Sequence, residues 1–135
     1  MARVLVVEDQ PENLELMVYL LQAFGHETLT AGNGAEGVAA VTQGRPDLVV
    51  MDLQMPVMDG YEAAKLIKAD PVVSAIPLVA VTAYAMVGDR ERIMACGFDG
   101  YMTKPIDPQT FVRELERHLA PSASRSVARP PLQEG

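Results

Sequence analysis

The stretch "VVMDLQMPVMDG", residues 49–60, contains a short apolar run that stops at an aspartate and is followed by a proline, a second aspartate and a glycine. A continuous apolar run of this length is typical of a strand buried on both faces, as in a parallel sheet. Two other runs, "RVLVV" (Arg3–Val7) and "LVAV" (Leu78–Val81), have the same character. We therefore predict three central strands, and the one at Leu48–Met51 leads directly into Asp52.

Weaker strand patterns and helical patterns alternate with these central strands. "ETLTA" (Glu27–Ala31) alternates polar and apolar residues and "GYMT" (Gly100–Thr103) is short, so both are predicted as edge strands. Helices are predicted at Pro11–Phe24, at 35–43, 59–69 and 86–96, and after Asp107 as N-cap with Pro108 as the first helical residue. The pattern predicts an α/β fold with a flavodoxin-like, doubly wound, five-stranded parallel sheet in the order 2-1-3-4-5 and helices on both faces.

Composition narrows the class of protein. The chain has 135 residues and is 49% hydrophobic, which is enough for one domain with an apolar core. Its net charge of −7 is unfavourable for binding nucleic acid. It contains no apolar run of about 18 residues that could span a membrane, and its start does not read as a signal peptide. The single cysteine, Cys96, cannot form an intramolecular disulfide, which fits the cytoplasm.

The last residues differ in composition from the rest of the chain. "APSASRSVARPPLQEG" is rich in proline, serine and alanine and has few large apolar residues. Such a composition favours disorder, because little apolar surface is available for burial. We predict a folded domain over residues 1–120 and a disordered tail or linker remnant over residues 121–135.

Polar side chains follow four of the predicted strands. Glu8 and Asp9 follow the first strand, Asp52 the third, Thr82 the fourth and Lys104 the fifth. In a sheet of this order, ligands bind at the carboxyl ends of the strands, where strands 1 and 3 are neighbours. We therefore expect these side chains to form one site, although Asp52 taken alone could simply start a turn.

The charges at this predicted site call for cations. Two unit charges about 4 Å apart repel by roughly 4 kcal/mol at an intermediate effective dielectric constant. Lys104 supplies one positive charge, and a hard divalent ion with oxygen ligands, such as Mg²⁺, would supply the rest. Such a site can hold a phosphoryl group, with Thr82 as a hydrogen-bond donor. The acidic "EDQPEN" after strand 1 lacks the glycines of a nucleotide-binding loop, which argues against FMN or a nucleotide.

Four motifs together resemble a known family. "VEDQPEN", "VVMDLQMPVMDG", "VAVTAYA" and "GYMTKPI" resemble, in order and spacing, the CheY-like receiver domain of bacterial two-component response regulators. The resemblance covers about residues 2–120. The run "AVTAYAMVGDRERIMACGFDGYMTKPI" also resembles the single-domain DivK-type regulators and the receivers of hybrid histidine kinases.

The resemblance implies an acceptor and a metal site. Asp52 would be the phosphorylation site of a phosphoprotein, and it would bind Mg²⁺ together with Asp9 and the backbone carbonyl of Gln54. Glu8 stands where many members have Asp, and it would act on the metal through a water molecule.

The resemblance also implies the residues that respond to phosphorylation. Thr82 and Lys104 would bind phosphoryl oxygens, and a cis peptide bond between Lys104 and Pro105 would help to aim the lysine. Tyr101 would be the aromatic switch residue, moving inward as Thr82 shifts toward the phosphate. A tyrosine on a short edge strand can also simply pack its ring and keep its hydroxyl in water.

The function implied by the resemblance is a phosphorylation-controlled binding module and not an enzyme. The phosphoryl group would come from a histidine kinase or a histidine phosphotransfer protein, since His26 and His118 do not read as phosphoryl carriers. The signal would pass to a protein target through the face formed by helix 4, strand 5 and helix 5, around residues 86–118.

Three alternatives stay open at this point. The chain could be a receiver cut from a longer regulator or a hybrid kinase. It could be an adaptor that signals without phosphate. A haloacid-dehalogenase-like phosphatase would also use a nucleophilic aspartate, Mg²⁺ and a lysine, but it would need an acid two residues after Asp52, where Gln54 stands.

Overall fold

Strands and helices alternate through the part of the chain that the computed structural model describes, residues 2–83 and 87–119. The strands are β1 (Arg3–Val7), β2 (Glu27–Ala31), β3 (Leu48–Asp52), β4 (Leu78–Thr82) and β5 (Gly100–Thr103). The helices are α1 (Pro11–Ala23), α2 (Gly34–Gly44), α3 (Gly60–Ala69), α4 (Val87–Ala95) and α5 (Phe111–Glu116). The predicted tail, residues 121–135, lies outside the described residues, so the domain boundary at residue 120 stays a prediction.

The five strands form one parallel sheet in the order β2-β1-β3-β4-β5, which confirms the predicted topology. Leu5 of β1 lies between Leu29 of β2 and Val49 of β3, and Val49 pairs in turn with Leu78 of β4. The two predicted edge strands, β2 and β5, are the edges of the sheet. The sheet order therefore places the ends of β1 and β3 side by side.

Both faces of the sheet are covered, because successive side chains of a strand point to opposite faces. On one face α1 and α5 pack on the sheet, and on the other face α2, α3 and α4 do so. The first core contains the buried residues Val4, Val6, Val50, Met17, Leu21, Phe111 and Leu115, and the second contains Leu5, Val7, Val49, Met51, Val41, Ile67 and Ile93. This two-sided burial explains why the central strands read as continuous apolar runs.

The start of the last helix was predicted wrongly. Asp107 and Pro108 precede a turn, and α5 begins only at Phe111. The carboxylate of Asp107 accepts a hydrogen bond from the backbone N–H of Gln109, 2.9 Å away. Aspartate readily forms this local turn, so Asp107 caps the turn and not the helix.

Several other boundaries differ from the prediction by one residue. Strands β3 and β4 include Asp52 and Thr82 as their last residues. The side chains of Asp52 and Thr82 are therefore held by the sheet itself. Helix α1 ends at Ala23, and Phe24 is its C-cap residue and 57% exposed.

No helix within the described residues is long and apolar enough to cross a membrane.

Candidate functional site

Three carboxylates lie together at the carboxyl ends of β1 and β3. Glu8 and Asp9 follow β1, and Asp52 ends β3. One carboxylate oxygen from each of them lies within 4.8 Å of the other two. Glu8 and Asp52 are buried and Asp9 is half-buried. The sheet order therefore brings together the acidic residues that the sequence predicted as one site.

The Asp52 carboxylate is held by a backbone N–H and by the Lys104 ammonium. Its Oδ1 accepts a hydrogen bond from the backbone N–H of Gln54 at 3.2 Å. Its Oδ2 accepts one from the Lys104 ammonium at 2.9 Å. The first residue of α3, Gly60, donates its N–H to the carbonyl of Leu53 at 3.0 Å. A Cβ at Gly60 would lie only 2.5 Å from the carbonyl oxygen of Asp52, so only glycine allows this approach of helix to strand.

Glu8 is the most deeply buried acid of the site, with 1% of its surface exposed. Its Oε2 accepts a hydrogen bond from the backbone N–H of Gln10 at 3.1 Å, and its Oε1 lies 3.3 Å from the Lys104 ammonium. Burial, and secondly the charge of Asp52, raise the pKa of Glu8 from 4.5 to about 7. Near neutral pH this carboxyl therefore holds a proton for part of the time unless a cation offsets the repulsion.

Among the described residues, Lys104 supplies the positive charge of the site. Its ammonium forms ion pairs with both Glu8 and Asp52. Burial alone lowers the pKa of this lysine, but its hydrogen bond and charge interaction with Asp52, together with Glu8, outweigh burial, and the pKa is raised. Lys104 therefore stays charged. Its peptide bond to Pro105 is cis, as the resemblance implied.

The donor set of the site fits a hard divalent cation. Oδ1 of Asp9 and Oε1 of Glu8 are buried and accept no hydrogen bond within residues 2–83 and 87–119, although Oε1 of Glu8 lies 3.3 Å from the Lys104 ammonium. Buried polar atoms are normally satisfied, so the Asp9 oxygen above all calls for a ligand. Three carboxylates against one lysine leave negative charge to be neutralised, and oxygen ligands are those that Mg²⁺ prefers.

The remaining predicted site residues are Thr82 at the end of β4, Tyr101 in β5 and Gln54 just after β3. Thr82 is buried at the end of β4, and its carbonyl accepts a hydrogen bond from the backbone N–H of Lys104 at 2.8 Å. Tyr101 lies half-buried in β5 opposite Ala80 and packs against the core on the α2, α3 and α4 side. Gln54 is exposed, and it lines a groove of about 490 Å³ that also reaches Asp9.

The second aspartate of the opening stretch, Asp59, has a local structural role. Asp59 is the N-cap of α3, and its Oδ1 accepts a hydrogen bond from the backbone N–H of Glu62 at 2.9 Å. This is the usual function of an aspartate at a helix start. Asp59 is not one of the three clustered carboxylates.

Two long-range contacts escaped the sequence analysis. The buried His26 accepts a hydrogen bond from the backbone N–H of Ala2 at Nδ1, and its Nε2 lies 2.7 Å from the carboxylate of Glu116 in α5. The guanidinium carbon of Arg92 in α4 lies 3.9 Å from the centre of the Tyr61 ring in α3. No local pattern signals either pair, since the partners are far apart in the chain.

The fold and the site define a flavodoxin-like α/β protein with a cluster of acidic residues and a lysine at the ends of its central strands. Residues 4–116 match the response regulator receiver domain. The chain therefore belongs to the family of response regulator receiver domains, and the resemblance seen in its four motifs is confirmed.

Named relatives agree with this family. The polar-differentiation response regulator DivK of Brucella anthropi is 40% identical over 116 residues, which are 86% of this chain and 94% of DivK. The likeness thus spans almost the whole of that relative, and it agrees with the DivK-type resemblance of residues 80–106.

Solved structures show the same fold. The chemotaxis response regulator CheY4 of Vibrio cholerae superposes with a TM-score of 0.84 at 31% identity, over 88% of this chain and 99% of CheY4. The receiver domain of the sensor histidine kinase PA1611 of Pseudomonas aeruginosa has a TM-score of 0.80 at 32% identity, over 87% of this chain and 96% of that domain. The latter structure has a magnesium ion coordinated in its active-site cleft.

Proposed function

We propose that this protein is a response regulator whose Asp52 accepts a phosphoryl group from a histidine kinase or a histidine phosphotransfer protein. One observation carries the proposal: Asp52 ends a central strand beside two further carboxylates, and its Oδ2 lies 2.9 Å from the Lys104 ammonium. Membership of the receiver family supports it. We expect the exchange to occur in the cytoplasm, in keeping with the single cysteine of the chain.

In the proposed transfer, an oxygen of Asp52 forms a bond to phosphorus as the bond from phosphorus to the donor imidazole nitrogen breaks. The electron pair of that bond stays on the imidazole, and the product is an acyl phosphate. Lys104 already contacts Asp52 and would move its contact to a phosphoryl oxygen. The Thr82 hydroxyl, at the end of the adjacent strand, would donate a hydrogen bond to another.

The proposed Mg²⁺ site uses Asp9, Asp52 and the backbone carbonyl of Gln54, with Glu8 acting through a water molecule. When bound, the ion would neutralise charge on the phosphoryl oxygens. The buried oxygens of Asp9 and Glu8 that accept no hydrogen bond within the described residues support this assignment.

The proposed output is a change in protein binding and not the release of a product. A phosphoryl group adds negative charge and three strong acceptor oxygens. Thr82 would shift toward it and Tyr101 would turn inward, which favours one of two arrangements of the surrounding loops. Two grooves flank Tyr101: one of about 420 Å³ lies between β5 and α5, and one of about 410 Å³ lies between α4, β5 and α5. We propose that a target protein binds this face.

The proposal is tested by labelling the protein with a small phosphodonor such as acetyl phosphate, with and without Mg²⁺, and by weighing the intact chain. We expect a single phosphoryl group on the wild type in Mg²⁺ and none on Asp52→Asn. Asp59→Asn is the matched control, because asparagine also caps a helix and this aspartate lies outside the acidic cluster. Full labelling of Asp52→Asn would show that the acceptor has been assigned wrongly.

A further inference from the structure

Helix α4 is attached to the rest of the domain by little buried surface. Of its residues 88–95, whose side chains the structure describes, Ile93 alone is buried. Helix α3, its neighbour on the same face, buries Gly60, Ala63, Ala64 and Ile67. A helix with so few buried contacts is held in position by small energies, so a single surface contact can influence where it lies.

A surface contact between Arg92 and Tyr61 joins α4 to α3. The guanidinium carbon of Arg92 lies 3.9 Å from the centre of the Tyr61 ring, within the range of a cation–π interaction. Tyr61 is half-buried, and its ring packs against the core beneath α3, so the ring is a fixed platform. Arg92 is exposed, which leaves its long side chain free to leave the ring when α4 moves.

This contact lies between the acidic site and α4. Tyr61 and Arg92 line the same groove as Asp9 and Gln54. Along the chain, α4 begins at Val87, five residues after Thr82. Thr82 and the start of α4 are therefore close along the chain, and the proposed movement of Thr82 would bear on the position of α4.

We propose that Arg92 and Tyr61 form a latch that stabilises the resting position of α4 and thereby weakens binding of a phosphoryl group at Asp52. The inference rests on the proposed function and extends it to a residue pair outside the acidic site. Arg92 is a positioning residue in this scheme. A contact made in only one of two arrangements shifts the equilibrium by its own free energy.

The latch is tested by measuring the affinity of the Mg²⁺-loaded protein for beryllofluoride, a phosphoryl analogue, by calorimetry or by NMR titration. Loss of a cation–π contact at an exposed site predicts that Arg92→Gln binds beryllofluoride about two- to fivefold more tightly than the wild type. Tyr61→Leu should act in the same direction. The double variant should gain no more than the larger of the two single variants, since both remove one contact.

Two matched variants separate the latch from simpler effects. Arg90→Gln removes the same charge from the same helix, and we expect it to leave the affinity unchanged. Arg92→Lys keeps a cation for the ring, so we expect its affinity for beryllofluoride to stay close to that of the wild type and below that of Arg92→Gln. The free energy of unfolding of each variant is measured in parallel, because a purely structural role would lower stability without raising the affinity.

The latch is overturned if Arg92→Gln raises the affinity no more than Arg90→Gln does, or lowers it. A wild type that does not bind beryllofluoride at all would overturn the proposed function, and the latch with it. A wild type that binds the analogue while Arg92→Gln is indistinguishable from it would overturn the latch and leave the proposed function standing.

Discussion

At the scale of single residues, the site places two carboxylates that repel each other in an almost fully buried position. Glu8 and Asp52 expose 1% and 5% of their surfaces and share one lysine. Burial and the charge of Asp52 raise the pKa of Glu8 to about 7, while Lys104 remains charged. In the absence of a divalent cation, the Glu8 carboxyl is therefore partly protonated near neutral pH.

This shift predicts how stability depends on pH in the absence of divalent cations. The folded pKa of Glu8, about 7, lies above the ordinary glutamate pKa of 4.5. As the pH rises, the unfolded chain loses this proton first, so the free energy of unfolding falls through this window, by up to about 3 kcal/mol. Above the folded pKa the loss is complete.

Urea unfolding in EDTA between about pH 5 and pH 8 measures this effect when the wild type is compared with Glu8→Gln. The glutamine keeps the shape of the side chain but cannot ionise. We expect the stability of the wild type to decline relative to that of the variant as the pH rises. Curves that run parallel over this range would show that Glu8 has no raised pKa.

At the scale of elements, the start of α3 fits closely against the end of β3. Asp59 caps the helix, and Gly60 brings its backbone against Asp52 and Leu53. The helix and the strand together determine where the Asp52 carboxylate lies. The glycine is therefore part of the site although it contributes no side chain.

This close approach predicts opposite effects for two glycine substitutions in helices. A Cβ at Gly60 would lie 2.5 Å from the Asp52 carbonyl oxygen and 2.9 Å from Leu53 Cα, so Gly60→Ala should lower the free energy of unfolding by about 2–3 kcal/mol. At Gly88 in α4, no described atom lies within 4 Å of an added Cβ. Gly88→Ala should therefore raise stability by up to about 1 kcal/mol through helix propensity.

Chemical denaturation of the two variants beside the wild type measures both effects. A Gly60→Ala protein as stable as the wild type would show that the helix can retreat from the strand at little cost. In that event Asp52 would be held less rigidly than the contacts at Gly60 indicate.

At the scale of the whole molecule, the chain is acidic, with a net charge of −7 and its most buried charges at one end of the sheet. A ligand that binds the folded state and not the unfolded chain stabilises the fold by mass action. The three carboxylates come together only in the folded protein. A cation bound there therefore stabilises the whole domain.

We expect Mg²⁺ to raise the free energy of unfolding of the wild type, by about 2–3 kcal/mol when its concentration is about 100 times the dissociation constant. Asp9→Asn should lose most of this increase, because it replaces a charged carboxylate of the acidic cluster by a neutral amide. Thermal or urea unfolding with MgCl₂ or EDTA measures it, and Asp59→Asn serves as the control. An equal increase in Asp9→Asn would place the bound ion elsewhere.

Much of the fold could be predicted because the signals for it are local. Continuous apolar runs in Val4–Val7, Val49–Met51 and Leu78–Val81 follow from burial on both faces, and crossover rules leave few sheet orders. Where local signals competed, the prediction failed: Asp107 suits a helix N-cap and a turn equally well, and the turn formed. The exposed position of Phe24 likewise depends on where α1 ends.

The sequence by itself determined the family, the strand order and the residue types at the strand ends. These follow from the periodicity of apolar residues and from the spacing of the motifs, which are properties of the sequence alone. Only the tertiary structure decided the contact of Asp52 with Lys104 at 2.9 Å, the burial that raises the pKa of Glu8, and the pairing of Arg92 with Tyr61. The physical reason is that distances, desolvation and charge interactions between residues remote in the chain arise only when packing brings them together.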